Sequence, residues 1–272
     1  MKMLICVSKL PYAEATLLFG GLIAGIENAE VTLTTVVHDK AERPLAEEML
    51  VKAQSLLTIS DANIKVCLGS PASAILDEAE HGEYDIIVVG AHILGGFFDR
   101  FTGSTMKKVA TKASTNVLVV QERRITLDHI LVCTAAREVD QSLIEKSAQL
   151  AKGTDANVTM LYVTDPMPGM YTGLETMEET LAELLLTDTV QANELNWSVQ
   201  YLEDEGVEAK LKLRQGIVTD EIHHEVHKND YDLVIVGAQT ENNFWNELLV
   251  GSITGDIVEL SSSSVMVVRT LT

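Results

Sequence analysis

The residues of this sequence best suited to chemistry are glycines and a serine in its first half. Gly90 closes an apolar run, IIVVG, and Gly103-Ser104 opens a helix-like stretch 13 residues later. A glycine lets a ligand approach the backbone, and a serine hydroxyl with the free N–H groups of a helix start can hold a phosphate. Glycines after a buried strand are also ordinary turn residues, so a phosphate site and a purely structural loop both stay open.

Other catalytic motifs are missing from the positions where they would have to lie. A Rossmann dinucleotide site needs glycines directly after the first strand, and VSKLPYAEA at 7–15 has none. Neither a Walker A lysine loop nor a G-x-S-x-G elbow occurs. His92 follows Gly90, and we interpret it as lining a cleft, because no nucleophile or carboxylate is recognisable around it as a partner for a general base.

A second candidate is the histidine pair His223 and His227 in EIHHEVHK, four residues apart on one helical face. Such a pair can bind a metal, but no third ligand is evident, so the sequence favours a solvated helix face and we predict no metal site. Cys6, Cys67 and Cys133 each lie in an apolar run, which is typical of buried thiols.

The chain contains one module twice, and this repeat positions the candidate residues. LICVS at 4–8 matches ILVCT at 130–134, and YDIIVVGA at 84–91 matches YDLVIVGA at 231–238. The offset grows from 126 to 147 residues between these pairs, which indicates an insertion of about 20 residues in the second copy. We predict domains at 1–124 and 125–272, with the insertion at about 165–185.

Within each copy, short apolar runs alternate with amphipathic stretches, as expected of parallel strands covered by helices on both faces. We therefore predict an α/β fold with two five-stranded, parallel, doubly wound (Rossmann-like) domains packed as a pseudo-dimer. In the first copy the predicted strands are 3–8, 31–37, 64–68, 85–90 and 116–120, and the predicted helices are 12–26, 43–58, 71–81 and 103–114.

Composition excludes several classes of partner. Forty acidic and 20 basic residues give a formal charge of −20 and a sequence pI near 4.6. Phosphate backbones and anionic lipid surfaces repel such a chain, so we expect neither nucleic acid nor membrane as a partner. The N-terminus has a five-residue apolar run, too short for a signal peptide. We expect a cytoplasmic location.

The strand-four glycine, the glycine-bearing loop, the Gly-Ser helix start and the duplication resemble the universal stress protein family, and its tandem members in particular. Nucleotide-binding members carry Gly-x2-Gly-x9-Gly-Ser/Thr in this loop, and an Asp at the end of strand one contacts the adenine. The resemblance implies a stress-response module that binds ATP or AMP through the loop backbone, with at most weak ATP hydrolysis.

The first copy matches this pattern at Gly90, Gly103 and Ser104 but has Ile93 at the middle glycine and Ser8 at the adenine Asp. The resemblance implies adenine-nucleotide binding here. The expected site residues are Val7, Ser8, Val37, His38, Gly90, His92, Gly95, Gly103, Ser104 and Thr105.

The second copy keeps Gly237, Gly251 and Ser252, but its middle position is Thr240. A β-branched residue restricts the loop, and the acidic Glu241 and Glu247 repel phosphate, so we predict a degenerate second site without triphosphate binding. The insertion has Met and Leu at helical spacing, which favours core packing with a flap over the second cleft, or a subunit contact.

The last strand of each copy, NVLVVQ and SVMVVRT, is predicted at a sheet edge. The family dimerises through that edge, so the two copies can pair within one chain, and a homodimer is a further option. Two other functions stay open: a structural or interaction protein with clefts filled by side chains such as Ile93 and Phe97, and an ATP-activating α/β enzyme. Such an enzyme needs a Lys, His or carboxylate set around the phosphates, and neither loop supplies one.

Overall fold

The computed structural model describes residues 1–57, 59, 61–91, 102–121, 125–164, 180–239 and 250–270. The chain divides into two compact units. The first unit comprises Met1–Thr126 and Val258–Arg269, and the second mainly Leu127–Ile257. The first copy of the repeat forms β1 (Lys2–Cys6), α1 (Glu14–Ile26), β2 (Glu30–Val37), α2 (Arg43–Gln54), β3 (Ala62–Leu68), α3 (Pro71–His81), β4 (Ile86–Gly90), α4 (Thr102–Lys112) and β5 (Asn116–Val120).

The second copy repeats this order and adds one short helix. Its elements are β6 (His129–Thr134), α5 (Gln141–Thr154), β7 (Asn157–Thr164), α6 (Leu181–Leu185), α7 (Val190–Asp204), β8 (Ala209–Gln215), α8 (Val218–Lys228), β9 (Leu233–Gln239), α9 (Val250–Leu260) and β10 (Ser264–Thr270). The added helix is α6, and it lies in the predicted insertion.

The strands β1–β5 of the first copy and β6–β9 of the second pair in parallel, as predicted. In the first unit β1 pairs with β2 and β4, β2 also pairs with β3, and β4 also pairs with β5. In the second unit β6 pairs with β7 and β9, and β7 also pairs with β8. In the first copy β2 lies on one side of β1 and β4 on the other, and in the second copy β7 and β9 flank β6 in the same way. The connections after β1 and β4, and after β6 and β9, therefore diverge, which defines a topological switch point in each copy.

The central strands are apolar because helices cover both their faces. Met3, Leu4 and Ile5 of β1 are fully buried, as are Ile86 and Ile87 of β4. Such strands show continuous apolar runs where half-exposed strands would alternate. Burial of this apolar surface is the main stabilising contribution in each unit.

The last strand of the chain joins the first unit. Strand β10 pairs antiparallel with β5, with Val265 opposite Val119 and Val267 opposite Val117. The side chain of Gln121 donates to the carbonyl oxygen of Ser261 over 2.9 Å. The predicted pairing of the two edge strands is confirmed. It covers the row of N–H and C=O groups that β5 would otherwise leave open.

Each copy buries one glutamate at the same place in the repeat. Glu78 of α3 is 8% exposed and lies 2.6 Å from the ammonium of Lys65 on β3. Glu225 of α8 is fully buried, and the ammonium of Lys212 on β8 lies 2.5 Å away. The residues of the second pair follow those of the first by 147 positions. This ion pair therefore ties the helix to the edge strand in both copies.

Candidate functional site

Four of the predicted site residues lie at the carboxyl ends of the adjacent strands β1 and β2. Val7 is buried, and its N–H donates to the carbonyl oxygen of Thr34 over 2.7 Å. Ser8, the next residue, is exposed. Val37 ends β2 and is 8% exposed, while His38 follows it and is exposed. We call the region beyond the carboxyl ends of β1, β2 and β4 the first groove.

A short turn borders the first groove after β2. The backbone N–H of His38 donates to Glu42 Oε2 over 3.2 Å, and the N–H of Ala41 donates to Asp39 Oδ1 over 2.9 Å. These carboxylates stabilise a single 3₁₀ turn, Lys40–Glu42, which leads into α2. The connection between β2 and α2 is therefore compact and leaves Ser8 and His38 exposed.

Gly90 has a packing role that the sequence did not reveal. It ends β4, and a Cβ at this position would lie 2.6 Å from Oγ1 of Thr16, a buried residue of α1. The missing side chain thus lets α1 approach the end of β4. The structural interpretation of this glycine has direct support, whatever ligand the groove takes.

The other predicted residues of the first site divide into two sets. Gly103, Ser104 and Thr105 lie in the first turns of α4. Since α4 follows β4 in a parallel sheet, its amino end lies at the carboxyl edge, where N–H groups of the first turn lack partners within the helix. His92 and Gly95 lie outside the described residues, as does Ile93.

The corresponding residues of the second copy are placed in part. Gly237 lies inside β9, which continues to Gln239, whereas Gly90 ends β4. Gly251 and Ser252 lie in the first turn of α9. Thr240, Glu241 and Glu247 lie outside the described residues, so the predicted repulsion of phosphate by these acidic groups stays a prediction.

The loop after β6 contains a buried carboxylate that sequence reasoning missed. Asp140 is 3% exposed, and its Oδ2 accepts from the N–H of Ala135 over 2.9 Å and from Oγ1 of Thr134 over 3.2 Å. The guanidinium of Arg137 lies 3.2 Å from Oδ1. An acidic residue six positions after the last residue of β6 was the available signal. We call the region beyond the carboxyl ends of β6, β7 and β9 the second groove.

The second groove also contains part of the insertion. Leu184 of α6 forms a buried cluster with Ala136, two residues after β6, and with Leu195 of α7. Tyr162, near the end of β7, packs against this cluster. The predicted core packing of the insertion is therefore seen for its helical part, while residues 165–179 lie outside the described residues.

The histidine pair and the thiols offer little chemistry. His227 is exposed, whereas Nε2 of His223 is buried and has no hydrogen-bond partner among the described residues. Across all the ranges that the structure describes, no group of three or more His, Cys, Asp or Glu side chains is placed to hold a metal ion. Burial and the nearby Glu225 raise the pKa of Cys133 to about 12, and burial raises the pKa of Cys6 well above its ordinary value. Both thiols therefore stay protonated near neutral pH and are poor nucleophiles.

Fold and site together define a class of protein: a duplicated, doubly wound α/β chain with a groove at the switch point of each copy. The model of the universal stress protein family matches residues 1–121 and, a second time, residues 126–269. The chain therefore belongs to the universal stress protein family and carries its module in tandem.

Similar proteins agree with this assignment. A universal stress protein of Methanothermobacter thermautotrophicus is 27% identical over 142 residues, which are 52% of this chain and 95% of that protein. Universal stress protein MJ0531 of Methanocaldococcus jannaschii is 25% identical over 140 residues, which are 52% of this chain and 81% of that protein. A solved universal stress protein from Archaeoglobus fulgidus has a TM-score of 0.70 at 15% identity, covering 99% of this chain and 96% of that one, and shows the same fold.

One further observation concerns membranes. Among the described residues, no helix combines the length and the apolar composition that crossing a bilayer requires.

Proposed function

We propose that the first groove binds an adenine nucleotide, ATP or AMP, and that the chain acts as a ligand-responsive stress module. The observation that carries the proposal is the position of Gly103 and Ser104 in the first turn of α4, 13 residues after the end of β4. Unpaired N–H groups at a helix start attract phosphate, and a glycine there lets it come close to the backbone.

The residues around the base support this proposal in a modified form. Ser8 and His38 are exposed beyond the ends of β1 and β2 and offer polar groups there, while Val7 and Val37 beside them are buried and fix the strand ends. The Asp that the family resemblance places at the adenine is a serine here. A neutral hydroxyl bonds more weakly than a carboxylate, so we expect weaker discrimination for adenine than in members with the Asp.

The proposal is one of binding and not of catalysis. Cys6, a thiol at the end of β1, stays protonated at neutral pH because burial raises its pKa. Glu42 and Asp39, acidic residues of the described turn beside the first groove, bond to backbone N–H groups after β2. We therefore expect at most slow ATP hydrolysis.

Calorimetric titration of the purified protein with ATP and with AMP tests the proposal. Val in place of Gly103 puts a branched side chain where the phosphate must approach, so Gly103→Val should weaken binding by tenfold or more, about 1.4 kcal/mol. Gly25→Val is the matched control, since Gly25 is exposed on α1 and a Cβ there meets nothing within 4 Å. Absence of binding to the wild-type protein at millimolar nucleotide would refute the proposal.

A structural or interaction role is the second candidate, and one observation favours it. Gly90 has a packing reason to be glycine, because Thr16 occupies the space beside it. If this role is correct, circular dichroism and melting temperature should be the same with and without nucleotide.

A further inference from the structure

The two grooves differ in what the chain itself places in them. In the second, Leu184 of α6 packs against Ala136 and Leu195, and Leu185 and Tyr162 border the same cluster. Leu184 is 6% exposed and Ala136 is 2% exposed. Apolar side chains of α6 therefore help to bury Ala136, which lies in the loop after β6.

Helix α6 is held in this position by its own polar contacts. At its amino end, the N–H of Thr180 donates to Glu183 Oε2 over 2.9 Å, and the N–H of Glu183 donates to Thr180 Oγ1 over 3.3 Å. At its carboxyl end, the amide of Asn196 on α7 donates to the carbonyl oxygen of Leu185 over 3.1 Å. A capping box and a tertiary hydrogen bond therefore fix a helix of one and a half turns that would not be stable alone.

Backbone donors beside this helix are already used. The Asp140 carboxylate accepts from the N–H groups of Ala135 and Arg137, over 2.9 and 3.4 Å, and its charge is balanced by the Arg137 guanidinium. An incoming phosphate would find these backbone donors taken.

The first groove has no such occupant in the part of the chain that the structure describes. Its β2–α2 connection is one 3₁₀ turn, Lys40–Glu42, where the second copy has the insertion. Lys9 corresponds to Ala136 by the register of the sheets, in which Met3 pairs with Ile86 and Ile130 pairs with Leu233. This register shifts the sequence match of β1 with β6 by one residue, and Lys9 is exposed. This position therefore carries an exposed lysine side chain in the first copy and a buried alanine side chain in the second.

We propose that α6 closes the second groove as a built-in occupant, so that the chain has one ligand site, in its first copy. The closure stands on the contacts of Leu184, Ala136 and Asp140. The statement that one nucleotide binds per chain rests in addition on the proposed function.

Thiol labelling tests the closure without any ligand. Ala136→Cys and Lys9→Cys place a thiol at equivalent positions, and peptide mass spectrometry follows iodoacetamide at each. The Ala136→Cys thiol should react at least about 100-fold more slowly, because labelling requires local opening of α6. Reaction of the two thiols at similar rates would overturn the proposal.

A second pair of variants shows whether α6 is the cause of protection. In the Ala136→Cys background, Leu184→Ala removes the buried contact and should raise the labelling rate at least tenfold, whereas Leu186→Ala, whose side chain is 87% exposed, should leave it unchanged. Unchanged protection in the Leu184→Ala variant, with the fold intact by circular dichroism, would contradict the role of α6.

The number of nucleotides bound per chain tests the second part of the proposal, that the chain has a single ligand site. Calorimetry should give one ATP or AMP per chain, lost in Gly103→Val. Two per chain would overturn the single-site inference and leave the proposed function standing. No binding at all would refute the proposed function, while the labelling rates would still decide whether the second groove is closed.

Discussion

At the scale of single residues, the buried glutamates Glu78 and Glu225 need hydrogen-bond and charge partners, because burying an unpaired carboxylate costs free energy. Burial alone would raise the pKa of Glu225, but hydrogen bonds from Lys212, Tyr231 and Arg214 outweigh it and hold that pKa below its ordinary value. Tyr231 donates over 2.7 Å and Arg214 Nε over 2.9 Å. The carboxylate therefore stays ionised in a place that solvent does not reach.

Replacing this carboxylate should be costly. Glu225→Gln leaves Lys212 and Arg214 without their buried counter-charge, and we expect a loss of about 3 kcal/mol in the free energy of unfolding. Urea denaturation followed by circular dichroism measures it. Glu48→Gln, which removes an exposed ion pair with Lys52, is the control and should cause no measurable change. Equal effects of the two substitutions would contradict the role given to burial.

The same glutamate predicts a pH dependence. Because its pKa is lowered in the folded protein, its stabilising contribution is complete above the unfolded pKa of about 4.3 and is lost as pH falls through the folded value. The difference in stability between wild type and Glu225→Gln should be constant from pH 8 to about 5 and shrink below about 4. Urea titrations at several pH values test this, and a gap that widens on acidification would refute it.

At the scale of elements, close packing of helix on strand is where small changes should matter most. Helix α1 crosses β1 and β4 at Gly20, where a Cβ would lie 3.1 Å from Ile5 Cδ1 and 3.3 Å from Val88 Cγ1. Ile5 and Val88 are fully buried and have little room to move.

Two glycines of α1 should therefore respond in opposite ways to one substitution. Gly20→Val overpacks the contact with β1 and β4 and should destabilise the protein by about 1–3 kcal/mol. Gly25→Val, on the exposed side of the same helix, should leave stability unchanged or raise it by a few tenths of a kcal/mol, because valine is a better helix former than glycine. Thermal unfolding of both variants measures this, and comparable losses in the two variants would contradict the packing argument.

Many of the helices and strands could be predicted from the sequence, because the spacing of apolar residues reflects which of them are buried. Pro71 correctly predicts the start of α3, and the run IIVVG correctly predicts β4. Helix α2 is shorter than its apolar pattern indicates, since the Ser55 hydroxyl bonds to the carbonyl oxygen of Lys52 and Leu56 is 38% exposed beyond the helix end. The burial of Asp140 in the β6 loop could not be predicted, because an acidic residue after a strand does not by itself show that the Ala135 N–H and the Thr134 hydroxyl bond to it.

At the scale of the whole molecule, β10 completes the first unit through side chains as well as strand pairing. Arg269 donates from its backbone N–H to Asn116 Oδ1 over 2.8 Å, and its guanidinium donates to the carbonyl oxygen of Ala110 over 2.6 Å. Burial lowers the pKa of Arg269 to about 10. The duplication and the family resemblance together predict that the two edge strands pair, but the contacts of Arg269 are visible in the structure alone.

Removing that arginine should loosen the end of the chain. Arg269→Ala leaves the carbonyl of Ala110 without its donor, and we expect a loss of about 1–3 kcal/mol together with faster hydrogen exchange in β10. Lys107→Ala, which breaks the exposed pair with Glu259, is the control and should change neither. Unchanged exchange in β10 of the Arg269→Ala variant would contradict this account.

The leucine of α6 has a consequence for how the protein would sense its surroundings. A side chain cannot diffuse away, so an occupant such as Leu184 contributes the same stabilisation at every nucleotide concentration. If the first groove binds nucleotide as proposed, that binding would add stability with the logarithm of nucleotide concentration once the concentration exceeds the dissociation constant. A duplicated chain with one filled groove and one open groove would thus combine a constant reference and a variable detector in a single polypeptide.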